Sequence, residues 1–463
     1  MSPLGVVRSG VRGKSEEGPI PVASFTPADA TAVSSDRQWE IALAWIVVIG
    51  VAAALVSART MPVFLLVLLA AALVGALRAG SLETVRPRWN AMTVSLAAFL
   101  VFAACSGLWA FDPWLTLDKV GQMGLVALGT LCLAEYLGQQ GRSTSLRCAE
   151  ALWIGLVVGL AYLLIEILTD RSLQIHLYNF LGLRPEMLQP ARYFSWEDGA
   201  IVGIDRLILQ RNIAPITLAV WPAILAALSS VSPRWNKGLA AAILLLATVV
   251  VMLAPHGTSK IALVLGLLGF AAMRYWPILT VRSIGALWIV ACLGVVPASF
   301  LAHKLDLHNA PWLPMSAQHR IIIWNHTAEQ TLKAPILGVG ASTTQVLGPL
   351  MQSTTQSEPG ERWERKLSRH AHSVYLQTWF ELGLVGIGLL TLAGLAILRR
   401  IGELETDVRP FAAATFVCGA TVAAMSYGMW QIWFVALYGV ATVLLALACR
   451  AHELAKPGAK GRS

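Results

Sequence analysis

The chain has 463 residues, of which 56% are hydrophobic and 13% are charged, and its mean hydropathy is +0.64. This composition excludes an ordinary soluble domain, because such domains carry about twice that share of charged residues. The net charge of +9 comes without a basic stripe interleaved with aromatic residues, so we expect no nucleic-acid partner. The six cysteines lie in or beside apolar runs without a CxxC pair, which favours small core residues over disulfides or metal ligands.

Runs of about 20 apolar residues recur along the chain and predict an all-α polytopic membrane protein with about 12 transmembrane helices. Residues 1–38 are polar and rich in Ser, Pro and Gly, which predicts a disordered cytoplasmic tail. Spans 1–9 are expected within 39–302, a large loop over 303–371, spans 10–12 within 372–449, and a basic tail over 450–463. The individual spans are predicted at 39–57, 60–77, 91–109, 119–138, 149–168, 212–231, 238–254, 260–276, 284–302, 374–398, 410–427 and 430–449.

The distribution of Lys and Arg predicts how these spans are oriented. Both tails and the short loops on their side carry 20 of the 35 Lys and Arg residues. Short cytoplasmic loops are the ones that accumulate positive charge, so both termini are expected in the cytoplasm. The two long loops, 169–207 and 303–371, would then face the periplasm.

This topology gathers several cations on one side of the membrane. Arg206 and Arg211 precede the sixth span, Lys260 begins the eighth, Arg320 lies in the large loop and His372 begins the tenth span. Each cation alone suits an anchor at the membrane interface. Together they suit a phosphate or pyrophosphate group whose lipid tail stays in the bilayer.

The stretch from 370 to 386 reads H-A-H-S-V-Y-L-Q-T-W-F-E-L-G-L-V-G and carries a second signal. Ser373, Gln377 and Glu381 recur every four residues, so they form one polar line on an apolar helix. A carboxylate inside a membrane helix is costly and should face other helices or water rather than lipid. Two interpretations stay open: the line packs helices together, or Glu381 assists chemistry at His372.

The large loop holds two further motifs, H-R-I-I-I-W-N at 319–325 and K-A-P-I-L-G-V-G at 333–340. Arg320 and Trp324 are four residues apart and so share a helix face. Five of the nine histidines lie in this loop, which raises the question of a metal. The loop contains neither a His-x3-His pair with a third carboxylate nor an Asp-x-Asp motif, so we predict no metal site.

These residues together resemble the O-antigen ligase/polymerase superfamily, and its bacterial O-antigen ligases most of all. The pattern is Arg320-x3-Trp324 and Pro335-x2-Gly-x-Gly340, followed by His372-Ser373-x9-Gly383-x2-Gly386. The resemblance extends more loosely over about residues 90–445. In one place the chain departs from the family, which commonly has Ser-Arg where this sequence has Ser259-Lys260.

The resemblance implies a GT-C-like membrane glycosyltransferase in the bacterial inner membrane. Such an enzyme moves a glycan from undecaprenyl pyrophosphate to lipid A-core oligosaccharide at the periplasmic face, with inversion and without a metal or other cofactor. Carried over by position, His372 and Arg320 would be catalytic, and Arg206 or Arg211 would hold the pyrophosphate together with Lys260. The supporting residues would be Ser373, Gln377, Glu381 and Trp324.

Two other functions compete with this interpretation. A polymerase of the same superfamily would use the same donor with a second lipid-linked glycan as the acceptor. A polysaccharide transporter would be built from internal repeats and would carry charge at the middle of the membrane. The sequence shows no such repeat, and its odd charges lie at span ends, with only Glu166 and Glu381 expected deeper.

Overall fold

The computed structural model describes residues 27–188, 191–351, 368 and 370–456. By its internal contacts the chain divides between Trp39 and Glu40. The first unit is described only from Pro27, where a helix begins. The predicted disordered tail of residues 1–38 therefore overlaps a helix at its end, and its first 26 residues lie outside the described residues. The second unit carries every feature discussed below.

The described residues form fifteen α-helices and one two-stranded sheet. The elements are α1 (Pro27–Val56), α2 (Met61–Arg78), α3 (Ala91–Cys105), α4 (Pro113–Gly138), α5 (Arg142–Leu168), α6 (Ser172–Phe180), β1 (Phe194–Glu197), β2 (Ala200–Ile204), α7 (Gln210–Ser230), α8 (Asn236–Leu253), α9 (Gly257–Tyr275), α10 (Pro277–Lys304), α11 (Met315–Thr331), α12 (Thr343–Met351), α13 (Val374–Glu403), α14 (Arg409–Met425) and α15 (Ile432–Ala455).

Eleven of the described helices are long and apolar enough to cross a membrane, and the apolar α14 is slightly shorter. These twelve helices fall on the twelve predicted spans, which confirms an all-α polytopic membrane protein. Several of them begin earlier than hydropathy predicts, because a helix starts at its cap rather than at its first apolar residue. The Asp112 side chain, for example, accepts a hydrogen bond from the amide of Leu115 at 2.9 Å, so α4 begins at Pro113 rather than near 119.

The helix α7 lies at the centre of the bundle. In its apolar stretch 83% of the residues are buried, against 22–61% in the other spans. It packs against α5, α8, α14 and α15. Every residue from Ile213 to Ala227 is buried, so α7 meets protein on all sides while the other spans keep a face towards lipid.

The first long loop contains a small hairpin that the sequence analysis did not predict. Strands β1 and β2 pair antiparallel, with Phe194 opposite Ile204. The two residues at the tip, Asp198 and Gly199, both have positive φ, at 47° and 78°. An Asp-Gly pair is the preferred sequence for such a two-residue turn, so the signal for the hairpin was present.

The helix α13 is broken at Gly383, and the 335–340 segment fills the break. Gly383 has φ 61° and ψ −160°, which interrupts the helical hydrogen-bond ladder. The carbonyls of Phe380 and Glu381 accept hydrogen bonds from the amides of Val339 (3.1 Å) and Gly340 (2.8 Å). Beyond the break, the amides of residues 384 and 385 donate to the carbonyls of residues 335 and 336, at 2.9 and 3.2 Å.

These four hydrogen bonds satisfy the backbone groups that the break would leave without partners. Non-helical backbone at membrane depth is tolerated only where protein or a water-filled cavity covers it. The close approach also requires glycine on both sides. A methyl group at Gly338 would lie 2.3 Å from the carbonyl carbon of Glu381, and one at Gly383 would lie 2.3 Å from the carbonyl oxygen of Ile336.

We predict that Gly383→Ala destabilises the protein and that Gly388→Ala, in the same helix, does not. Positive φ alone costs a non-glycine residue about 1–3 kcal/mol at such a position, and the contact with Ile336 adds to that cost. A methyl group at Gly388 meets no heavy atom within 4 Å. The measurement is the thermal unfolding midpoint of both purified variants in detergent. Equal midpoints would show that the break does not depend on Gly383.

Candidate functional site

The predicted site residues lie at one end of the bundle, which we call the site end. Successive spans run in opposite directions, so α7, α9, α13 and α15 all begin at this end. The helix α11 follows the end of α10 and lies there too. A group of side chains from these elements is linked by hydrogen bonds, ring contacts and electrostatic interactions: Arg211, His256, Arg320, His370, His372 and Tyr427. We call this group the site cluster.

His372 lies just before α13 and its orientation is fixed by one hydrogen bond. Its Nδ1 lies 2.9 Å from the carbonyl oxygen of Ser426, in the turn between α14 and α15. A carbonyl oxygen can only accept, so Nδ1 carries the proton in this bond. In the neutral imidazole Nε2 then has a free lone pair. The arrangement leaves one histidine nitrogen available as a base and holds the other.

The backbone around His372 is held on both sides. His372 has φ 54°, a conformation that residues other than glycine seldom adopt. Before it, the indole of Trp324 on α11 donates to the carbonyl of Ala371 at 2.9 Å. After it, the Ser373 side chain caps the first turn of α13 through the amide of Leu376. Ser373 and Trp324, both predicted as supporting residues, thus position the imidazole.

The surroundings of His372 keep its imidazole neutral. Burial lowers the pKa of His372 to about 3, and the neighbouring His370 and Arg320 act in the same direction. The two imidazole rings lie 4.2 Å apart. Burial likewise lowers the pKa of His370, with Arg211 and Arg320 adding to the effect. His370 is therefore packed into the cluster beside His372.

Two arginines face the same space. Both Arg211 and Arg320 act electrostatically on His370 and on Tyr427. Arg320 is partly buried, and burial lowers its pKa. Within the part of the chain that the structure describes, neither guanidinium is paired with a carboxylate. Partly buried positive charges without acidic partners are characteristic of a site for an anion.

Gln377 and Glu381 are buried and connect α13 to two other segments. The Glu381 carboxylate accepts hydrogen bonds from the amides of Ser342 (3.0 Å) and Thr344 (3.1 Å), and from the side chains of Thr344, Gln377 and Trp430. The Gln377 carbonyl accepts from the amide of Met429 at 3.2 Å. The polar line on α13 therefore packs this helix against the 342–344 segment and the 426–431 turn. It supports His372 indirectly, because the 426–431 turn that it holds also holds the imidazole.

His256 and Tyr427 belong to the cluster but were not singled out from the sequence. The Tyr427 hydroxyl donates to the carbonyl of Gln210 at 3.0 Å, next to Arg211. His256 Nε2 lies 3.4 Å from that hydroxyl oxygen, and Nδ1 lies 2.6 Å from the hydroxyl of Ser259. One neutral tautomer satisfies all three bonds, with Ser259 donating to Nδ1 and Nε2 donating to Tyr427. Burial, with the charge of Arg320, lowers the pKa of His256 to about 4 and agrees with that neutral form.

This chain of hydrogen bonds joins the α8–α9 turn, the α14–α15 turn and the start of α7. The predicted topology already assigned all three to one end of the bundle. The sequence signal that could have identified His256 and Tyr427 was therefore their position in short turns at that end.

The structure separates the two arginines between which the sequence could not choose. Arg206 is exposed and pairs with Asp170, with its Nε 2.9 Å from Oδ1. Arg211 lies five residues later, in α7, and joins the cluster. Lys260 lies in the first turn of α9, one turn after His256, and is partly exposed. Among the described residues it forms no ion pair.

The structure offers no evident metal centre in the residues that it describes. In residues 27–188, 191–351, 368 and 370–456 no three His, Cys, Asp or Glu side chains converge in a way that could hold an ion.

Comparison with known proteins gives a consistent set of relatives. Residues 240–391 match the family described as O-Antigen ligase. A Rickettsia conorii protein named "Putative polysaccharide ligase" is 27% identical over 231 residues, which are 49% of this chain and 54% of that protein. Similarly named proteins of Rickettsia bellii and Rickettsia felis are 31% identical over 122 and 123 residues, or 26% of this chain and 29% of each relative.

The chain thus spans about half the length of the first of these relatives and less of the other two. The matched family region runs from α8 to the middle of α13, so it contains His256, Arg320 and the His372 motif. Over this region the chain is similar to the O-antigen ligase family, and the shared motifs lie within the matched residues.

Proposed function

We propose that the chain transfers a glycan from undecaprenyl pyrophosphate to lipid A-core oligosaccharide, as the O-antigen ligases do. The family supports a ligase- or polymerase-type enzyme that acts on glycans. The observation that carries the proposal is the site cluster, where two arginines lie beside a half-buried, neutral histidine. Neither arginine pairs with a carboxylate of the residues that the structure describes.

The donor's pyrophosphate is assigned to the arginines. Cleavage of a glycosyl–pyrophosphate bond leaves negative charge on the departing oxygen, and fixed cations stabilise charge that develops there. Arg211 and Arg320 supply two such cations at the end of the membrane spans, where the lipid tail of the donor can stay in the bilayer. We include Lys260 as a third, because it follows His256 by one helical turn. Its ammonium acts as a point charge and cannot grip phosphate with two prongs as an arginine does.

The acceptor is activated by His372. Its free Nε2 takes the proton from the acceptor hydroxyl while that oxygen bonds to the anomeric carbon of the donor sugar. The bond from that carbon to the pyrophosphate breaks, and undecaprenyl pyrophosphate leaves with the bonding electrons. A single displacement of this kind inverts the anomeric centre. As proposed, this displacement uses neither a metal nor a nucleotide sugar.

The distribution of charge supports the periplasmic face of the bacterial inner membrane as the place of reaction. The end opposite the site end carries most of the short-loop Lys and Arg residues, as cytoplasmic ends do. In this orientation both long loops and the site cluster face the periplasm. A lipid-linked glycan on that side of the membrane would reach the cluster from the bilayer.

We expect Arg211→Ala and His372→Ala to abolish transfer and Arg206→Ala to spare it. Loss of a cation that stabilises a developing charge, or loss of the base, lowers the rate of transfer about 10²–10⁴-fold. Loss of the exposed Arg206–Asp170 pair should cost no more than about fivefold, since surface pairs contribute at most about 1 kcal/mol. The measurement is transfer in vitro, with purified donor and acceptor and with variants that insert into the membrane as well as the parent.

The Arg206→Ala variant is the matched control for Arg211→Ala. The two arginines lie close in the sequence, but only Arg211 belongs to the site cluster. Equal activities of Arg211→Ala and Arg206→Ala would refute the assignment of the pyrophosphate. Formation of free polymer in place of glycan linked to lipid A-core would indicate a polymerase.

We also predict that transfer persists at acidic pH. Neutral His372 is the active form, and its lowered pKa preserves that form well below pH 6.5. An unperturbed histidine would lose about tenfold in its neutral fraction at pH 5.5. The measurement is kcat/KM between pH 5 and 8, which reports the free enzyme. An acid limb with a midpoint near 6.5 would contradict the neutral state of His372.

A further inference from the structure

The short helix α6 presents an unusual surface. Leu173, Leu177, Phe180 and Leu181 are 47%, 52%, 88% and 57% exposed. Their spacing of four, three and one residues places them on one face of the helix. Four large apolar side chains together on an exposed face mark a surface that contacts something apolar.

The side of α6 away from these residues is bonded to the protein. The Asn179 side chain makes two hydrogen bonds with the backbone of Ile201 in β2, at 2.9 and 2.8 Å. Gln174 donates to the hydroxyl of Tyr178. A surface helix of a soluble protein does the reverse and turns its leucines to the core. The large apolar side chains of α6 that point away from the protein indicate apolar surroundings on its outer side.

The turn before α6 fixes its place. Arg171 is buried and pairs with Glu166 in the last turn of α5, at 3.1 Å. Only three residues separate the end of α5 at Leu168 from the start of α6. Ile165 and Leu168 are exposed as well, so the apolar surface of the span continues towards α6. The helix therefore begins within one turn of the point where α5 leaves the membrane.

The length of α6 excludes a crossing of the bilayer. Nine residues of helix are about 14 Å long, and a membrane needs about 30 Å. Exposed aromatic residues also lie at the site end of other spans: Trp109 and Phe111 in the α3–α4 connection and Trp114 in the first turn of α4. Such residues are typical of the membrane–water interface.

We propose that α6 is an interfacial helix, which buries its Leu173–Leu177–Phe180–Leu181 face among the phospholipids of the leaflet at the site end. The partner is the lipid surface rather than another protein. Helix α6 is hydrogen-bonded to the β1–β2 hairpin through Asn179. The hairpin in turn lies near the site cluster, because Tyr193, directly before β1, acts electrostatically on Arg211. Insertion of α6 into the lipid sets the height of the hairpin above the membrane. It thereby also sets the height of the side of the site cluster that lies near Tyr193.

The proposal is tested by photo-cross-linking to lipid. Benzoylphenylalanine is introduced at Leu177 or at Phe180 in the full-length chain, which is reconstituted into vesicles of phosphatidylethanolamine and phosphatidylglycerol with a tritiated acyl chain. Leu125, 72% exposed in the middle of α4, is the positive control. Asp198, exposed at the hairpin tip, is the negative control.

We expect labelled phospholipid on positions 177 and 180 at a yield similar to that at 125, and background labelling at 198. Label at 125 alone would overturn the proposal, as would cross-links from 177 and 180 to a second protein copy. The readout needs no glycan transfer, so its failure would leave the proposed enzymatic function intact.

Discussion

The break in α13 is the constraint on which the rest of this fold depends. A helix interrupted inside a membrane leaves carbonyls and amides that water cannot reach, and each such group costs several kcal/mol. Here the 335–340 segment supplies all four backbone partners. Glu381, two residues before Gly383, adds a buried carboxylate that accepts hydrogen bonds from residues 342 and 344 and from Trp430. The break and the hydrogen bonds of Glu381 depend on each other, because both need the 335–344 segment to lie close to α13. That close approach is possible only with glycine at 338 and 383.

The break joins the large loop and the 426–431 turn to the start of α13, where His372 lies. Trp324 holds the backbone before the imidazole and Ser426 holds the ring itself. Tyr427, in the same turn, connects His256 to the start of α7 beside Arg211. Residues from five separate segments are thus brought to one end of the bundle by a few hydrogen bonds. An imidazole and two guanidinium groups held in this way need little reorganisation when charge develops beside them.

The sequence predicted the spans and the common side of the charged residues, because hydropathy and charge are properties of single segments. It also led to His372, Arg320 and Trp324 through a motif. It could not choose between Arg206 and Arg211, which lie within one span start and differ only in their tertiary partners, Asp170 for the first and the cluster for the second. His256 and Tyr427 were missed because each is an isolated polar residue in a short turn. The role of the Gly383 break was also hidden, since its partner segment lies more than forty residues earlier in the chain.

The proposed function depends on Arg211 and Arg320, which pair with no carboxylate in the described part of the chain, forming the binding site for a lipid-linked pyrophosphate. The most direct measurement is the binding of radiolabelled undecaprenyl pyrophosphate to the purified protein in nanodiscs. Binding should be saturable, should be retained in Arg206→Ala and in His372→Ala, and should be lost when Arg211 and Arg320 are both replaced by Ala. Unchanged binding in that double variant, with the fold intact, would contradict the account.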